Sequence, residues 1–338
     1  MNYINNRFLL QKRPTGMPED NCWVMDSQKI TELQKQEILI KAEYLSIDPY
    51  MRGKMNDSIS YTPPLKIGEV MVGESVGTVI ESKSKNYAVG DLVTVHQGWQ
   101  TYIKTKDSDP SVLKVPESKL NSSVFLGTLG MPGRTAYFGL NYVGKPQPGE
   151  TLVVSAASGA VGSVVGQLGK LIGCKVIGIA GGPEKSKYVT EELKFDQCID
   201  YKNENVVEKL EKYCPNGIDI YFENVGGEIT KMVSKFLNKN ARVPICGFIS
   251  KYNSTNIAGE ETPFHVLGAL NPKPKHRFFV VTEWLNQFEK ATSILHEHVK
   301  NGDIKFRETI TPGFENAPQG LRDVLSGKNF GKQIIKII

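Results

Sequence analysis

The stretch from residue 151 to residue 182, TLVVSAASGAVGSVVGQLGKLIGCKVIGIAGG, leaves few folds open. An apolar run enters a glycine-rich turn, an amphipathic segment leaves it, and a second apolar run follows at once. Two parallel strands joined this way need a crossover helix that packs on their sheet. The alternation then continues. EKSKYVTEEL reads as helix, QCIDY as strand, NVVEKLEKY as helix, IDIYFENVG as strand, EITKMVSKFL as helix and ARVPICGFI as strand. Repeated βαβ units predict an α/β domain with a doubly wound parallel sheet. An Asn-, Pro- and Gly-rich loop is expected over residues 250–275, then a strand in HRFFVVTEW and a helix through LNQFEKATSILHEHVKNG.

The first 125 residues have another texture. EILIKAEYLSI and VGTVIES are short apolar runs rich in β-branched residues, and YAVGDLVTV carries a hairpin turn signal. PYMRG and YTPPLKIGE read as loops. A small β-barrel or α+β domain is expected over residues 1–125, with the α/β domain over 126–305, opened by a helix in GMPGRTAYFGLNYVG. KFRETITPG and GKQIIKII are strand-like again, so residues 306–338 are expected to complete the first domain. A chain of 338 residues has room for two cores.

The net charge of +5 is diffuse and no basic run is long, which argues against nucleic acid as a partner. No apolar run reaches the roughly 18 residues of a membrane helix, and none at the N-terminus has signal-peptide length. Five cysteines, Cys22, Cys174, Cys198, Cys214 and Cys246, show no paired spacing and no CxxC. That argues against a disulfide framework and a zinc lobe and points to a reducing compartment; with no signal-length or membrane-length run, a cytoplasmic protein is expected.

Ala157-Ser158-Gly159-Ala160-Val161-Gly162 fits a dinucleotide fingerprint with Ala in its first glycine position. Gly159 lets the backbone approach a pyrophosphate, Gly162 lets helix and strand pack closely, and the helix N-terminus faces the phosphates. An acid roughly 20 residues further on would hold the ribose hydroxyls of NAD. Here that position falls near Gly181 and Gly182. A carboxylate repels a 2′-phosphate and glycine admits one, so the sequence predicts NADP(H). Lys185 and Lys187 are both candidates to meet that phosphate.

Several separated segments carry a more specific likeness. They are Asp48-Pro49-Tyr50-Met51-Arg52, residues 127–133 (GTLGMPG), Ala156–Gln167, residues 221–227 (YFENVGG), Cys246-Gly247 through Tyr252-Asn253, and Asn329-Phe330-Gly331-Lys332. With them the chain resembles the zinc-independent medium-chain dehydrogenase/reductases. Among these it is most similar to the NADPH-dependent enone and alkenal reductases, the leukotriene B4 dehydrogenase/prostaglandin reductase and curcumin reductase group. The resemblance implies a GroES-like domain with an inserted Rossmann domain, and a homodimer joined near HRFFVVTEW. It places Gly159, Ala160, Val161 and Gly162 at the pyrophosphate, Lys185 at the 2′-phosphate, and Tyr201 at the adenosine ribose. Asn224 lies near the cofactor, and Cys246, Gly247, Phe248, Ile249, Ser250, Lys251, Tyr252, Phe279, Val280, Val281 and Asn329 fall around the nicotinamide. Tyr50 and Met131 line the substrate pocket. Glu223 replaces an Asp common in relatives, and Phe248 stands where relatives often carry a smaller residue.

No zinc ligand set is visible. Val72-Gly73-Glu74 lies where a zinc-dependent relative has Gly-His-Glu, and no two of the five histidines stand at i, i+4 spacing. Without a Lewis acid, oxidation of a simple alcohol has no support for its alkoxide. Reduction of an enone needs only a hydrogen-bond donor at the developing enolate oxygen, and Tyr252 is the candidate. The α-carbon proton comes from Tyr252 or from water. Quinone reduction and a non-catalytic NADPH-binding role remain the alternatives.

Overall fold

The computed structural model describes residues 3–57, 63–254 and 259–337. Tyr61 and Thr62 of the expected YTPPLKIGE loop, and residues 255–258 of the expected 250–275 loop, lie outside them. The chain divides into two units, Met1–Gly127 with Glu308–Ile338, and Thr128–Arg307.

In the first unit β1 (Ile4–Leu10) and β2 (Trp23–Lys29) form an antiparallel ribbon. β3 (Glu37–Ser46) is the central strand of a larger sheet. Ile38, Leu39, Ile40, Ala42 and Leu45 on it are all fully buried. A strand covered on both faces shows such a run instead of alternation, and two register shifts against its neighbour bend it further. After β3 comes α1 (Tyr50–Lys54), one helical turn where PYMRG was expected to be a loop. Pro49, with φ −58°, already fits a first turn. Arg52 then locks it. Its side chain is fully buried, donating Nε and Nη2 to Gly16 O (3.2 and 2.8 Å) and Nη1 to Asn56 Oδ1 (2.5 Å). β4 (Ser75–Ser82) and β5 (Leu92–Val95) make the expected hairpin. β6 (Tyr102–Lys106) pairs with β3, and β7 (Leu113–Lys114) with β5.

The second unit opens with α2 (Met131–Phe138), which runs into a wider turn over Gly139–Gly144. Then follow β8 (Thr151–Ser155), α3 (Gly162–Ile172), β9 (Lys175–Ala180), α4 (Pro183–Glu191) and β10 (Gln197–Asp200). α5 (Val206–Tyr213), β11 (Ile218–Phe222), α6 (Gly227–Ser234) and β12 (Leu237–Ile245) continue the pattern. α7 (Pro263–Gly268), β13 (Lys275–Phe278) and α8 (Phe288–Lys300) complete it. The six strands are parallel, in the order β10-β9-β8-β11-β12-β13. That is the 3-2-1-4-5-6 order of a dinucleotide-binding sheet. α3 was expected to bury one face. It is buried on nearly every side from Gly162 to Gly169, and Val164, Val165 and Leu168 alone are each worth about 1.5–3 kcal/mol.

Three readings need correction. α7 lies inside the expected 250–275 loop, where the Thr262 hydroxyl and His265 Nδ1 meet at 2.8 Å in a capping box ahead of Pro263. HRFFVVTEW is strand only to Phe278. Val280 N donates to Glu283 Oε1 (2.9 Å), which turns the chain into the 3₁₀ segment Val281–Gln287. β12 begins at Leu237, inside the expected EITKMVSKFL helix, because α6 stops at Ser234.

The chain then re-enters the first unit as β14 (Glu308–Pro312), α9 (Ala317–Leu325) and β15 (Lys332–Lys336). β15 pairs antiparallel with β3, Ile334 against Ser46, and β14 lies parallel beside β15. The result is a β-rich unit and a Rossmann unit, the fold class expected from the sequence.

Candidate active site

In the second unit the strand order reverses between β8 and β11, and a ligand crevice forms outside the carboxyl ends of such strands. Ser155 ends β8 there. Its hydroxyl oxygen accepts from Asn224 N (2.9 Å), and Asn224 Nδ2 donates to Ser155 O (2.8 Å). Beneath them sits Glu223, with no exposed surface at all. Glu223 Oε1 accepts from the Ser155 hydroxyl (3.2 Å), Tyr221 Oη (2.9 Å), Val225 N (2.8 Å) and Gly226 N (3.0 Å). Oε2 accepts from the Thr230 hydroxyl. A carboxylate is tolerated in such a place only when surrounded by donors. In the sequence Glu223 stood out only as a replacement for Asp; in the structure it braces the turn that carries Asn224.

The fingerprint turn spans Gly159, Ala160 and Val161, and α3 begins at Gly162. A Cβ at Gly162 would stand 2.4 Å from Ala156 O, so this contact needs glycine. The N–H groups of Ser163, Val164 and Val165 already donate to Gly159 O and Val161 O, so the positive end of α3 reaches a phosphate through the backbone of the turn ahead of them.

The missing acid has a structural reason beside the electrostatic one. A Cβ on Gly181 would lie 2.8–2.9 Å from the Tyr201 ring, so Tyr201 fills the place a side chain would take. An acid is nevertheless close in sequence to Tyr201. Asp200 is buried and turned inward, accepting from Gly182 N (2.7 Å), Lys202 N (3.1 Å) and Asn203 Nδ2 (2.7 Å). Those donors hold its carboxyl below the usual range despite burial. Lys185, in the first turn of α4, is half-buried, and burial and then the charge of Lys202 push its pKa below the usual lysine value. Two cations crowding one another beside an exposed aromatic ring suit a phosphate on a ribose. Lys187 points elsewhere: it is exposed and pairs with Glu191 at 3.8 Å. The sequence reading missed Lys202, whose only signal was its place directly after Tyr201.

At the far side of the edge, residues 246–252 follow β12. Cys246 N donates to Glu223 O (2.9 Å), Ile249 N to Asn224 O (3.2 Å) and Ser250 N to Val225 O (3.0 Å). Residues 246–252 are thereby tied to the Asn224 turn. Ile249–Lys251 make one 3₁₀ turn, and Lys251 pairs with Glu260 at 2.5 Å. Tyr252 folds back so that its Oη would be 2.7 Å from a Cβ on Gly247, and Phe248 meets its ring edge-on at 5.8 Å. Phe279 and Val280 follow β13, with Phe279 buried against Phe222, and Val281 opens the next 3₁₀ segment. Thus Asn224, Cys246–Tyr252 and Phe279–Val280 collect at the carboxyl ends of β11, β12 and β13.

Met131 is the first residue of α2, its carbonyl accepting from the Thr135 hydroxyl (2.8 Å). In the first unit Asn329 donates Nδ2 to Gly331 O (2.9 Å) just ahead of β15. Tyr50 heads α1, and its Oη meets His96 Nε2 at 2.8 Å. Asp48, two residues earlier, is buried with Lys332, whose Nζ donates to Asp48 Oδ1 (2.9 Å) and Ile47 O (2.6 Å). The Ser46 hydroxyl donates to the other Asp48 oxygen. The turn that carries Tyr50 is therefore fixed at both ends, by this pair and by Arg52. Among the described residues, no three His, Cys, Asp or Glu side chains gather as a metal site.

Residues 6–113 match a family model described as the N-terminal domain of oxidoreductase, and residues 160–285 match one described as zinc-binding dehydrogenase. The chain is 43% identical to the NADPH-dependent curcumin reductase of Escherichia coli over 98% of this chain and 97% of that one. It is 39% identical to prostaglandin reductase 1 of Sus scrofa over 97% of each. The crystal structure of CurA in complex with NADPH from Vibrio vulnificus superposes with a TM-score of 0.92 at 42% identity, covering 98% of this chain and 99% of that one. The chain belongs to the zinc-independent enone reductases of the medium-chain dehydrogenase/reductase family.

Proposed function

We infer that this protein reduces the C=C bond of α,β-unsaturated aldehydes and ketones with NADPH. The observation that carries this is the 43% identity, along almost the whole of both chains, to an NADPH-dependent curcumin reductase. The Rossmann edge fits the cofactor. Gly162 lets α3 pack closely on the turn, Gly159 carries no side chain to keep a pyrophosphate off the backbone, and Tyr201, Lys185 and Lys202 suit a phosphorylated adenosine ribose. When bound, NADPH supplies a hydride to the β-carbon of the enone. Asn224 lies near the cofactor in this reading, residues 246–251 with Phe279, Val280, Val281 and Asn329 hold the nicotinamide side, and Tyr50 and Met131 face the substrate. Tyr252 donates a hydrogen bond to the enolate oxygen. An ordinary phenol is protonated below a pH of about 10 and serves as such a donor without a metal. Solved structures named as quinone oxidoreductases share the fold at 18% identity, which lends quinone reduction no further support.

The test is the initial rate of NADPH and NADH oxidation with a short alkenal and with a quinone. NADPH with the alkenal is the expected pair. Lys185→Ala should weaken NADPH binding about 10- to 100-fold, the 1.4–3 kcal/mol of a charge-assisted contact, and leave NADH unchanged. Turnover of the quinone alone, or cofactor binding with no turnover of any electrophile, would defeat the proposal.

A cytoplasmic homodimer belongs to the same reading. β13 is the last strand of the Rossmann sheet and supports joining to a second copy. The free cysteines support a reducing compartment.

A protein that takes up alkenals must also keep its own thiols from adding to them. Burial raises the pKa of Cys174 and Cys214 to about 11, and of Cys198 to about 12. Burial and then Glu223 raise Cys246 to about 12. The thiolate is the nucleophile, so these four should stay unmodified by iodoacetamide or an alkenal at pH 7.5 in the native protein, and react once it is unfolded. The linked stability has a defined sign. The folded state holds these protons more tightly than the unfolded chain, so the contribution is complete below about pH 9 and is lost as pH rises towards 11–12. Mass spectrometry after labelling, and thermal melts across that window, check both statements.

A further inference from the structure

Residues 246–250 are tied to the Asn224 turn by backbone bonds, from Cys246 N to Glu223 O at one end and from Ser250 N to Val225 O at the other. The chain then leaves the strand ends, and Tyr252 stands two residues further on. Two features bear on its place. Gly247 leaves room for the phenol, since a Cβ there would stand 2.7 Å from Tyr252 Oη. Glu260 grips the chain on both sides of the tyrosine. Its Oε2 accepts from Lys251 Nζ (2.5 Å), one residue before, and its Oε1 accepts from Ser254 Oγ (2.8 Å), two residues after. Ser254 N donates to Lys251 O (3.0 Å), so the span between the two grips is itself a closed turn. The two donors, Lys251 first, hold the Glu260 carboxyl below the usual carboxylate range.

The acid stands on a fixed support. Glu261, the next residue, pairs with Lys231 of α6 at 2.8 Å, and Lys231 also meets Glu228 at 3.0 Å. Thr262 then caps α7. α6 begins at Gly227, directly after the turn that carries Asn224. Glu260 therefore joins the Tyr252 turn to the framework that holds Asn224, all within the second unit. A lone surface ion pair contributes little, because ordering two long side chains offsets the attraction. Here the neighbours of Glu260 have already placed it, and the Lys251 and Glu260 side chains are only 23% and 34% exposed. Such a pair sets geometry more than it adds stability.

We propose that Glu260 is a positioning residue, which presets the turn from Ile249 to Tyr252 as the wall that receives the nicotinamide half of the cofactor. The proposal rests on the reading of residues 246–252 as the nicotinamide side. Glu260 touches neither cofactor nor substrate; it acts through Lys251, Ser254 and the tyrosine between them. A wall held in place before the ligand arrives spares the ordering that binding would otherwise require, so its loss is read as affinity. The effect is confined to one half of the ligand. The adenosine half belongs to Lys185 and Tyr201, beyond the ends of β9 and β10, on the other side of β8 and β11 from the strand that leads to Tyr252.

The experiment titrates wild type, Glu260→Ala, Lys251→Met, the Glu260→Ala/Lys251→Met double variant and Tyr252→Ala by calorimetry. The ligands are NADPH and 2′-phosphoadenosine diphosphate ribose, which has the adenosine half and no nicotinamide. Glu260→Ala and Lys251→Met should each weaken NADPH about tenfold, inside the range for residues coupled in one ion-pair network. The second ligand should bind all five proteins alike. The double variant should bind NADPH no more weakly than either single one, because the two side chains act as a pair. Tyr252→Ala should show the same selective loss. A merely structural role would weaken both ligands together. If Glu260→Ala weakens both alike, or neither, while Tyr252→Ala weakens NADPH, the role of Glu260 is wrong and the nicotinamide side stands. If the two single losses add in the double variant, Glu260 does not act through Lys251 and the proposal is overturned. If Tyr252→Ala and Glu260→Ala both leave NADPH unchanged, the nicotinamide lies elsewhere, and the proposal fails with that reading.

Discussion

Glu223→Ala should lower the stability of the Rossmann unit by about 4 kcal/mol and, with it, the melting temperature by about 10 °C. The substitution strands the Tyr221 and Thr230 hydroxyls and the amides of Val225 and Gly226, all of which end on this one carboxylate. Each buried donor without an acceptor costs about 1–3 kcal/mol. Water entering the vacated space recovers part of that, because the hole is polar and gives a water several partners. Glu223→Gln keeps the shape and loses the charge. It puts an N–H where an acceptor is needed, so its loss should be near half as large. Cofactor affinity should fall with stability, since the same carboxylate holds the turn bearing Asn224, and Asn224 O in turn accepts from Ile249 N. Calorimetry of the three proteins, with NADPH titrations at a temperature where all are folded, makes the comparison. An alanine variant that melts within about 2 °C of wild type would remove Glu223 from the role of brace.

That residue also shows where the sequence stopped being readable. The α/β pattern was legible because strand and helix periods alternate over more than a hundred residues, and each βαβ unit repeats the same constraint. The fingerprint was legible because the contact at Gly162 admits no side chain. The surroundings of Glu223 and Lys202 were not. Each depends on neighbours brought together by tertiary structure: Glu223 meets Ser155 from another strand, and Lys202 comes close enough to Lys185 to lower its pKa. Helix α1 was hidden for a related reason. PYMRG has no pattern of its own, and the buried bonds of Arg52 to Gly16 O make it a helix. α7 had a local signal in Thr262 and Pro263, but it lay among Asn, Pro and Gly residues that read as loop.

Gly181→Asp, which restores the acid that an NAD site would carry, should raise the Kd for NADPH at least 100-fold. Two causes act, and they can be separated. The first is charge. A carboxylate about 6 Å from one phosphate charge, at an effective dielectric constant of about 20, costs about 3 kcal/mol, which alone is about a hundredfold. The second is space. The new Cβ would stand 2.8 Å from the Tyr201 ring, and the ring must leave its place. Gly181→Ala isolates the second cause, because it adds the Cβ without the charge. Tyr201 is 47% exposed, so its ring has solvent to move into. The alanine variant should therefore bind NADPH and NADH weakly but equally so, with a loss of about tenfold for each. Against Tyr201→Ala as the reference, which itself loses the ring beside the ribose, adding Gly181→Ala should cost little and adding Gly181→Asp should still cost about a hundredfold towards NADPH. NADH separates the causes from the other side: Gly181→Asp with Tyr201→Ala should bind it no worse than Tyr201→Ala alone, since no 2′-phosphate meets the carboxylate. If Gly181→Asp instead costs no NADPH affinity on the Tyr201→Ala background, space alone dictates glycine here, and the preference for a phosphorylated cofactor must come from Lys185 and Lys202.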